Sequence, residues 1–363
     1  MTVINTCVSE NILINGYQKF CYSFSKILLV ILLFPFVYFY SKKYQKKFLA
    51  FCFCYQKKGK LQVDNKQEID INSFEYHNYD CQSKNLKQYG YPINWKQENY
   101  QEFIIKNDNN QDISCLTVTQ KKQSKKWVIG FHGWTENKYL ALRLVSWFYQ
   151  QGYNILTFDS VAHGKSYGQY SDIGLTCAEN INCLINWIKN NQEVTSIGLI
   201  GNSMGAATIN YYLLNYASSK EITWAIIDSG FTNLLVQFRY VMQYRYQKPW
   251  WLISNRLAKR YQKFTNSNIK KYDLLKKSKS GFKIPILLIH GKKDDFVPFF
   301  MANIIHNYQI KLDYQNYDYL FLNNIGHIET LPNAYHNYIN KIKIFINNHE
   351  TKKAEIGKEE IWN

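Results

Sequence analysis

Ser203 lies in Gly201-Asn202-Ser203-Met204-Gly205, behind the apolar run Ile197-Gly198-Leu199-Ile200 and ahead of a helix-like stretch over 206–216. Strand, sharp turn and helix, with a serine at the turn, would hold its hydroxyl clear of the backbone at a sheet end. The flanking glycines relieve the crowding of that strained turn. A serine hydroxyl is a poor nucleophile until a base takes its proton. The expected base is His327, in Asn323-Asn324-Ile325-Gly326-His327-Ile328-Glu329, just after the last strand-like run. The imidazole in turn needs a carboxylate that fixes its tautomer and stabilises its charged form. Asp294, in His290-Gly291-Lys292-Lys293-Asp294-Asp295-Phe296-Val297-Pro298, follows one apolar run; Asp295 adjoins it, and Asp228 ends another run and competes for the role. The Gly-x-x-Asp-x-x-Val-Pro spacing favours Asp294. Attack on a carbonyl creates an oxyanion that needs backbone donors. The expected donors are the amides of Met204, next after the serine, and of Trp134, in the loop His132-Gly133-Trp134-Thr135-Glu136-Asn137-Lys138. His132 is expected to bond backbone rather than act as a base.

These residues need a scaffold that brings strand ends together. Strand-like runs fall at 102–106, 114–119, 127–131, 154–158, 195–200, 223–227, 284–289 and 317–322. Helix-like runs fall at 138–150, 175–189, 206–217, 299–308 and 334–347. The first two strands, split by Asn107-Asp108-Asn109-Asn110, read as a hairpin. Strand–helix alternation with near-continuous apolar strands predicts an α/β domain with a mostly parallel sheet flanked by helices. Active groups of such sheets collect at the C-terminal ends of the strands. Residues 231–281 break the rhythm and read as a helical insertion over that edge.

The chain has 363 residues, 46% of them apolar, and a net charge of +17. Its lysines are spread along the whole chain and no nucleic-acid motif appears, so nucleic acid is not the expected partner. The eight cysteines form no CxxC pair and no Cys/His cluster with zinc spacing, so no metal is expected. Residues 27–40 read ILLVILLFPFVYFY without a charge. Extended back to Phe20, the run reaches spanning length, with Lys26 able to snorkel and Tyr38 and Tyr40 at an aromatic belt. Ser41-Lys42-Lys43 follows instead of a cleavage site. The expectation is an uncleaved single-pass transmembrane anchor over 20–41, behind an N-terminal segment 1–19. A basic linker and peripheral segment (42–98), the catalytic domain (99–349, insertion at 231–281) and a charged, frayed tail (350–363) would come after it. Lysines are denser after the apolar run than before it, which places the catalytic domain on the cytoplasmic side, with the bilayer as a partner.

Taken in order, the His132-Gly133 loop, Asp159-Ser160-Val161-Ala162-His163-Gly164-Lys165-Ser166, the serine elbow, the Gly-x-x-Asp-x-x-Val-Pro stretch and Gly326-His327 resemble the α/β-hydrolase superfamily. The resemblance is to bacterial serine hydrolases of the serine aminopeptidase or monoacylglycerol-lipase-like type, and covers about residues 99–348. Ala162 and Phe299-Phe300 depart from the usual pattern without touching the chemistry. The resemblance implies the α/β-hydrolase fold, a Ser203–His327–Asp294 triad, an acyl-enzyme released by water, and no cofactor. It also makes 231–281 a cap over the serine. Trp250 and Trp251, with Ile253, Leu257 and Phe264, would then line an acyl pocket, while Lys248, Arg256, Lys259, Arg260 and Lys263 would meet lipid headgroups. The plainer alternative is a cap whose apolar face simply packs on the sheet. The expected substrate is a small carboxylic ester. One alternative is an aminopeptidase of the same fold, which needs an acidic group for the substrate amine where the cap offers only Asp273. The other is a catalytically silent binding protein.

Overall fold

The computed structural model describes residues 19, 23–36, 38–39, 42, 60–62, 68–89, 91, 100–191, 193–217, 221–274, 282–312 and 316–359. Its centre is an eight-stranded sheet. The strands are β1 (Gln101–Lys106), β2 (Asp112–Val118), β3 (Lys126–Phe131), β4 (Asn154–Phe158), β5 (Ser196–Asn202), β6 (Trp224–Asp228), β7 (Ile286–Gly291) and β8 (Tyr317–Leu322). Their spatial order is β8-β7-β6-β5-β3-β4-β2-β1. β1 and β2 form the antiparallel hairpin, β2 pairs antiparallel with β4, and every other pairing is parallel.

The near-continuous apolar strands are explained by two cores. Trp127, Ile129 and Phe131 of β3 point to one, and Val128 between them points to the other. The first core is closed by α4 (Ile181–Asn191), α5 (Met204–Asn215) and the cap. The second is closed by α3 (Lys138–Gln150) and α9 (Tyr335–Glu359). Burying alternate side chains on opposite faces requires both faces to be covered, as the pattern predicts.

The body also takes in chain that the sequence assigns to a linker. Helix α2 (Phe74–Ser83) starts at Ser73, whose hydroxyl accepts the Tyr76 amide, and carries Glu75 in its first turn. It buries Phe74, His77 and Cys81, and Phe74 and Cys81 join the second core with Leu86 and Tyr91. The folded unit therefore begins well before residue 99. Composition hid this, because the helix is polar outside one narrow stripe.

The other terminus differs in the same direction. α9 runs on past residue 349, and Glu350 is a staple rather than the start of a frayed tail. Its Oε1 accepts from Tyr153 Oη at 2.5 Å, Ser196 Oγ at 2.8 Å and Trp224 Nε1 at 3.0 Å, while Lys126 Nζ lies 2.6 Å from Oε2. Burial works against its charge, but these donors hold its carboxyl below the usual range. Glu350→Ala would remove the shared acceptor of donors in β3, β5 and β6 and of Tyr153, just ahead of β4. It should cost roughly 2–4 kcal/mol, judged by the penalty for unpaired buried polar groups, read as a lowered urea midpoint.

The spanning helix expected over 20–41 is not found: no helix among the described residues is long and apolar enough to cross a membrane. Helix α1 (Phe24–Leu32) has nine residues, which is about 13 Å at the helical rise, against the ~30 Å of a bilayer core. A turn at Leu33 ends it two residues before Pro35. Phe24, Ile31, Leu32, Phe34, Phe36 and Phe39 are exposed. The segment leans on the cap, with Lys26 Nζ 4.8 Å from the Trp250 ring centroid and Arg256 Nη1 donating to the Tyr38 carbonyl at 3.2 Å. Residues 1–18, most of 43–99 and 360–363 lie outside the described residues.

Candidate active site

The elbow forms because the chain must pass from β5 into α5 within one residue. Ser203 takes φ 50° and ψ −113°, and its amide donates to the Asp228 carbonyl of β6 at 2.9 Å. A Cβ on Gly205 would sit 2.3 Å from the Phe131 carbonyl oxygen, and one on Gly201 would sit 2.7 Å from the Gly205 carbonyl carbon. Both distances are below any real Cβ contact, so the two glycines are required for the backbone to close this tightly.

His327, from the loop after β8, reaches both expected partners. Its Nε2 is 2.9 Å from Ser203 Oγ and its Nδ1 is 2.7 Å from Asp294 Oδ2. Asp294 is fixed in turn: Oδ1 accepts the amides of Phe296 at 2.9 Å and Val297 at 2.7 Å. An acceptor on Nδ1 places the proton there and leaves Nε2 free to take the serine proton. The carboxylate side chain has no exposed surface, and the imidazole is partly open to the site.

Asp228, the competing acid, ends β6 nearby, yet its Oδ1 accepts from Ser229 Oγ at 3.0 Å rather than from His327. Burial raises its pKa to about 7, against a lowering pull from the Ser229 bond. The folded protein therefore binds this proton where the unfolded chain, with an ordinary aspartate, has lost it. Stability should fall as pH rises from about 4 to about 7. Thermal melts across that window should show the fall, and Asp228→Asn should flatten it.

The two residues expected to supply oxyanion amides both adjoin the serine's cavity. The Met204 amide opens α5, where the helix dipole favours negative charge. Trp134 follows Gly133 in the loop after β3, and Trp134, Ser203 and Met204 line one cavity. His132 bonds backbone at both ring nitrogens: Nε2 accepts the Ser160 amide at 2.9 Å, and Nδ1 donates to the Gly133 carbonyl at 2.7 Å. Burial lowers its pKa, which suits a neutral structural ring.

The remaining cavity walls are Ile173, Phe231, Leu234, Phe238, Val241 and Phe296, together with Gln237 and Tyr246. No carboxylate is among them. Trp250 and Trp251 are not lining residues. Trp250 is buried within the cap, with Arg239 Cζ 4.7 Å from its ring centroid, and Phe264 packs on Tyr170 elsewhere. The wall comes instead from α6 (Leu234–Tyr240) and the turn after it, ahead of α7 (Trp250–Thr265), which carries the tryptophans. Leu234, Gln237, Phe238 and Val241 have spacing i, i+3, i+4 and i+7, a single helical stripe that the sequence carried. No group of residues able to hold a metal ion occurs among the described residues.

Comparison with known proteins bears on the fold. The family model for serine aminopeptidase, S33, matches residues 122–274. Bacillus subtilis YqkD, an uncharacterised protein, is 27% identical over 203 residues, which is 54% of this chain and 64% of that protein. Escherichia coli O157:H7 YfhR, also uncharacterised, is 28% identical over 180 residues, 47% of this chain and 53% of that one. The matches thus span less than two thirds of either relative. Among solved structures, a Pyrococcus furiosus esterase is similar with a TM-score of 0.56 and 25% identity, over 71% of this chain and 96% of its own. A Pyrococcus horikoshii acylaminoacyl peptidase shares the fold with a TM-score of 0.51 at 15% identity, over 68% of this chain and 40% of its own. The chain thus has the α/β-hydrolase fold, and its structural neighbours include an esterase and an acylaminoacyl peptidase.

Proposed function

We propose that the chain is a serine hydrolase that cleaves carboxylic esters bearing an apolar acyl group. The observation that carries the reading is the apolar cavity that Ser203 lines. His327 Nε2 takes the serine proton as Oγ attacks the ester carbonyl. Asp294 stabilises the imidazolium, and the amides of Trp134 and Met204 hold the oxyanion. The tetrahedral intermediate collapses, His327 gives the proton to the departing alkoxide, and the acyl group stays on Ser203. Water then repeats the sequence with the same base, releasing the acid and restoring the hydroxyl. No cofactor enters this scheme.

The acyl chain would lie along the stripe of Leu234, Phe238 and Val241. The family description favours a peptidase, but a free α-amino group needs a carboxylate, and the cavity wall has none. A panel of p-nitrophenyl esters of increasing chain length, run beside aminoacyl p-nitroanilides, separates the readings. Turnover confined to the anilides would remove the esterase reading. A fluorophosphonate probe tests the serine, since labelling of the wild type must be lost in Ser203→Ala. Labelling of neither would instead indicate a silent binding protein.

The exposed apolar side chains of α1 and of Phe34, Phe36 and Phe39 beside the basic cap support a lipid surface as a further partner, on the anionic cytoplasmic face. Flotation with phosphatidylserine vesicles should carry the full chain, and a chain lacking 1–45 should stay at the bottom of the gradient.

A further inference from the structure

Oxyanion stabilisation depends on where an amide points, and one peptide plane here is held by an unusual set of ties. The Gly133 carbonyl accepts from His132 Nδ1 at 2.7 Å and from the Glu136 amide at 3.2 Å. In a trans peptide the C=O and N–H are antiparallel, so fixing that carbonyl turns the Trp134 N–H the opposite way, away from the His132 ring. The preceding amide is removed from competition: Gly133 N–H donates to Glu136 Oε2 at 2.7 Å. Between them Thr135 sits at φ 66°, a costly conformation for a β-branched residue, so the turn persists only where its surroundings impose it.

Glu136 is in turn clamped from behind. Its Oε1 is paired with Arg143 Nη2 of α3, and Arg143 Nη1 reaches Asp80 Oδ2 of α2 at 3.1 Å. Arg143 is 3% exposed, and the side chains of Glu136 and Asp80 are 12% and 13% exposed. Asp80 is also paired with Lys84, just beyond the end of α2. The far oxygen of Glu136 lies 3.5 Å from Asn202 Nδ2, immediately before the serine. The carboxylate therefore touches both halves of the oxyanion site, the loop after β3 and the elbow after β5. A buried charge chain of this kind is weak evidence for stability alone, which makes its aim the point of interest.

We propose that Glu136 is a positioning residue that aims the Trp134 amide at the oxyanion, and that Arg143 and Asp80 hold it in register. α2, which lies before the resemblance to known hydrolases begins, is then part of the catalytic apparatus. The inference rests on the serine hydrolase reading for its kinetic consequence, though not for its structural one.

The test uses the full chain with Glu136→Ala, Glu136→Gln and Asp80→Asn. Active sites are counted by fluorophosphonate titration, so that misfolded protein does not enter kcat. Glu136→Ala should lower kcat on a short p-nitrophenyl ester about 10- to 100-fold, the scale of a weakened oxyanion donor, with KM within about twofold. Glu136→Gln keeps an acceptor for Gly133 N–H and should recover part of the loss. Asp80→Asn, remote from the serine, should lower the same parameter a few-fold and add little in combination with Glu136→Ala. Unchanged kcat per titrated serine alongside a lowered melting temperature would mean that the chain only fastens α2, and would overturn the proposal, as would a loss carried wholly by KM. Hydrogen exchange of the peptide spanning 131–138 is a readout independent of turnover. It should quicken in Glu136→Ala, and unchanged exchange overturns the proposal even if no ester is cleaved. Failure of the wild type to label would refute the hydrolase reading and leave the exchange result to decide this one.

Discussion

Ser203→Ala should lower ester hydrolysis by about 10⁴- to 10⁶-fold while leaving the melting temperature within a few degrees. The size reflects the single contact that delivers the proton: Ser203 Oγ is 2.9 Å from His327 Nε2, and no other side-chain partner of that hydroxyl is found among the described residues. Alanine suits the packing there, since Ser203 is 6% exposed and its Cβ already occupies the strained elbow. The amides of Trp134 and Met204 would remain, so a small rate above that of water should survive. Measured kcat near the wild-type value would show that another group attacks.

Asp294→Asn should cost about 10⁴-fold in kcat, nearly as much, although the residue never meets the substrate. The carboxylate accepts from His327 Nδ1 and from the amides of Phe296 and Val297. An amide in its place presents an N–H2 to Nδ1 and drives the imidazole proton to Nε2, where it blocks acceptance of the serine proton. Asp228→Asn should change kcat only a few-fold, because that carboxylate is taken up by Ser229. A reversed order of the two effects would make Asp228 the working acid.

The strands and the ends of the strands were readable for one physical reason. A parallel strand buried on both faces, such as Trp127 to Phe131, must be apolar throughout, and the residues after it must turn sharply into solvent or chemistry. Ser203, Asp294 and His327 each stand at such a change of text, and the structure brings the three within hydrogen-bonding reach. Other features lack that contrast. α2 buries Phe74, His77 and Cys81 on a polar background, so composition gives it away as linker. Glu350 looks like any surface glutamate until three strands and Tyr153 converge on it. Trp250 drew attention by size, while the cavity took the smaller side chains of α6, because only the docking angle of the cap decides which helical face looks at the serine.

The proposed triad hangs from strand ends, whereas one side of the cavity is a stripe of the cap, with Leu234, Gln237 and Phe238 in α6 and Val241 just after it. Heredity can therefore act on them separately. Replacing Phe238 or Val241 with a smaller or larger side chain would shift which acyl lengths fit without moving Ser203, His327 or Asp294. On the proposed esterase reading, a lineage carrying this architecture is free to drift between diets while its reaction stays the same.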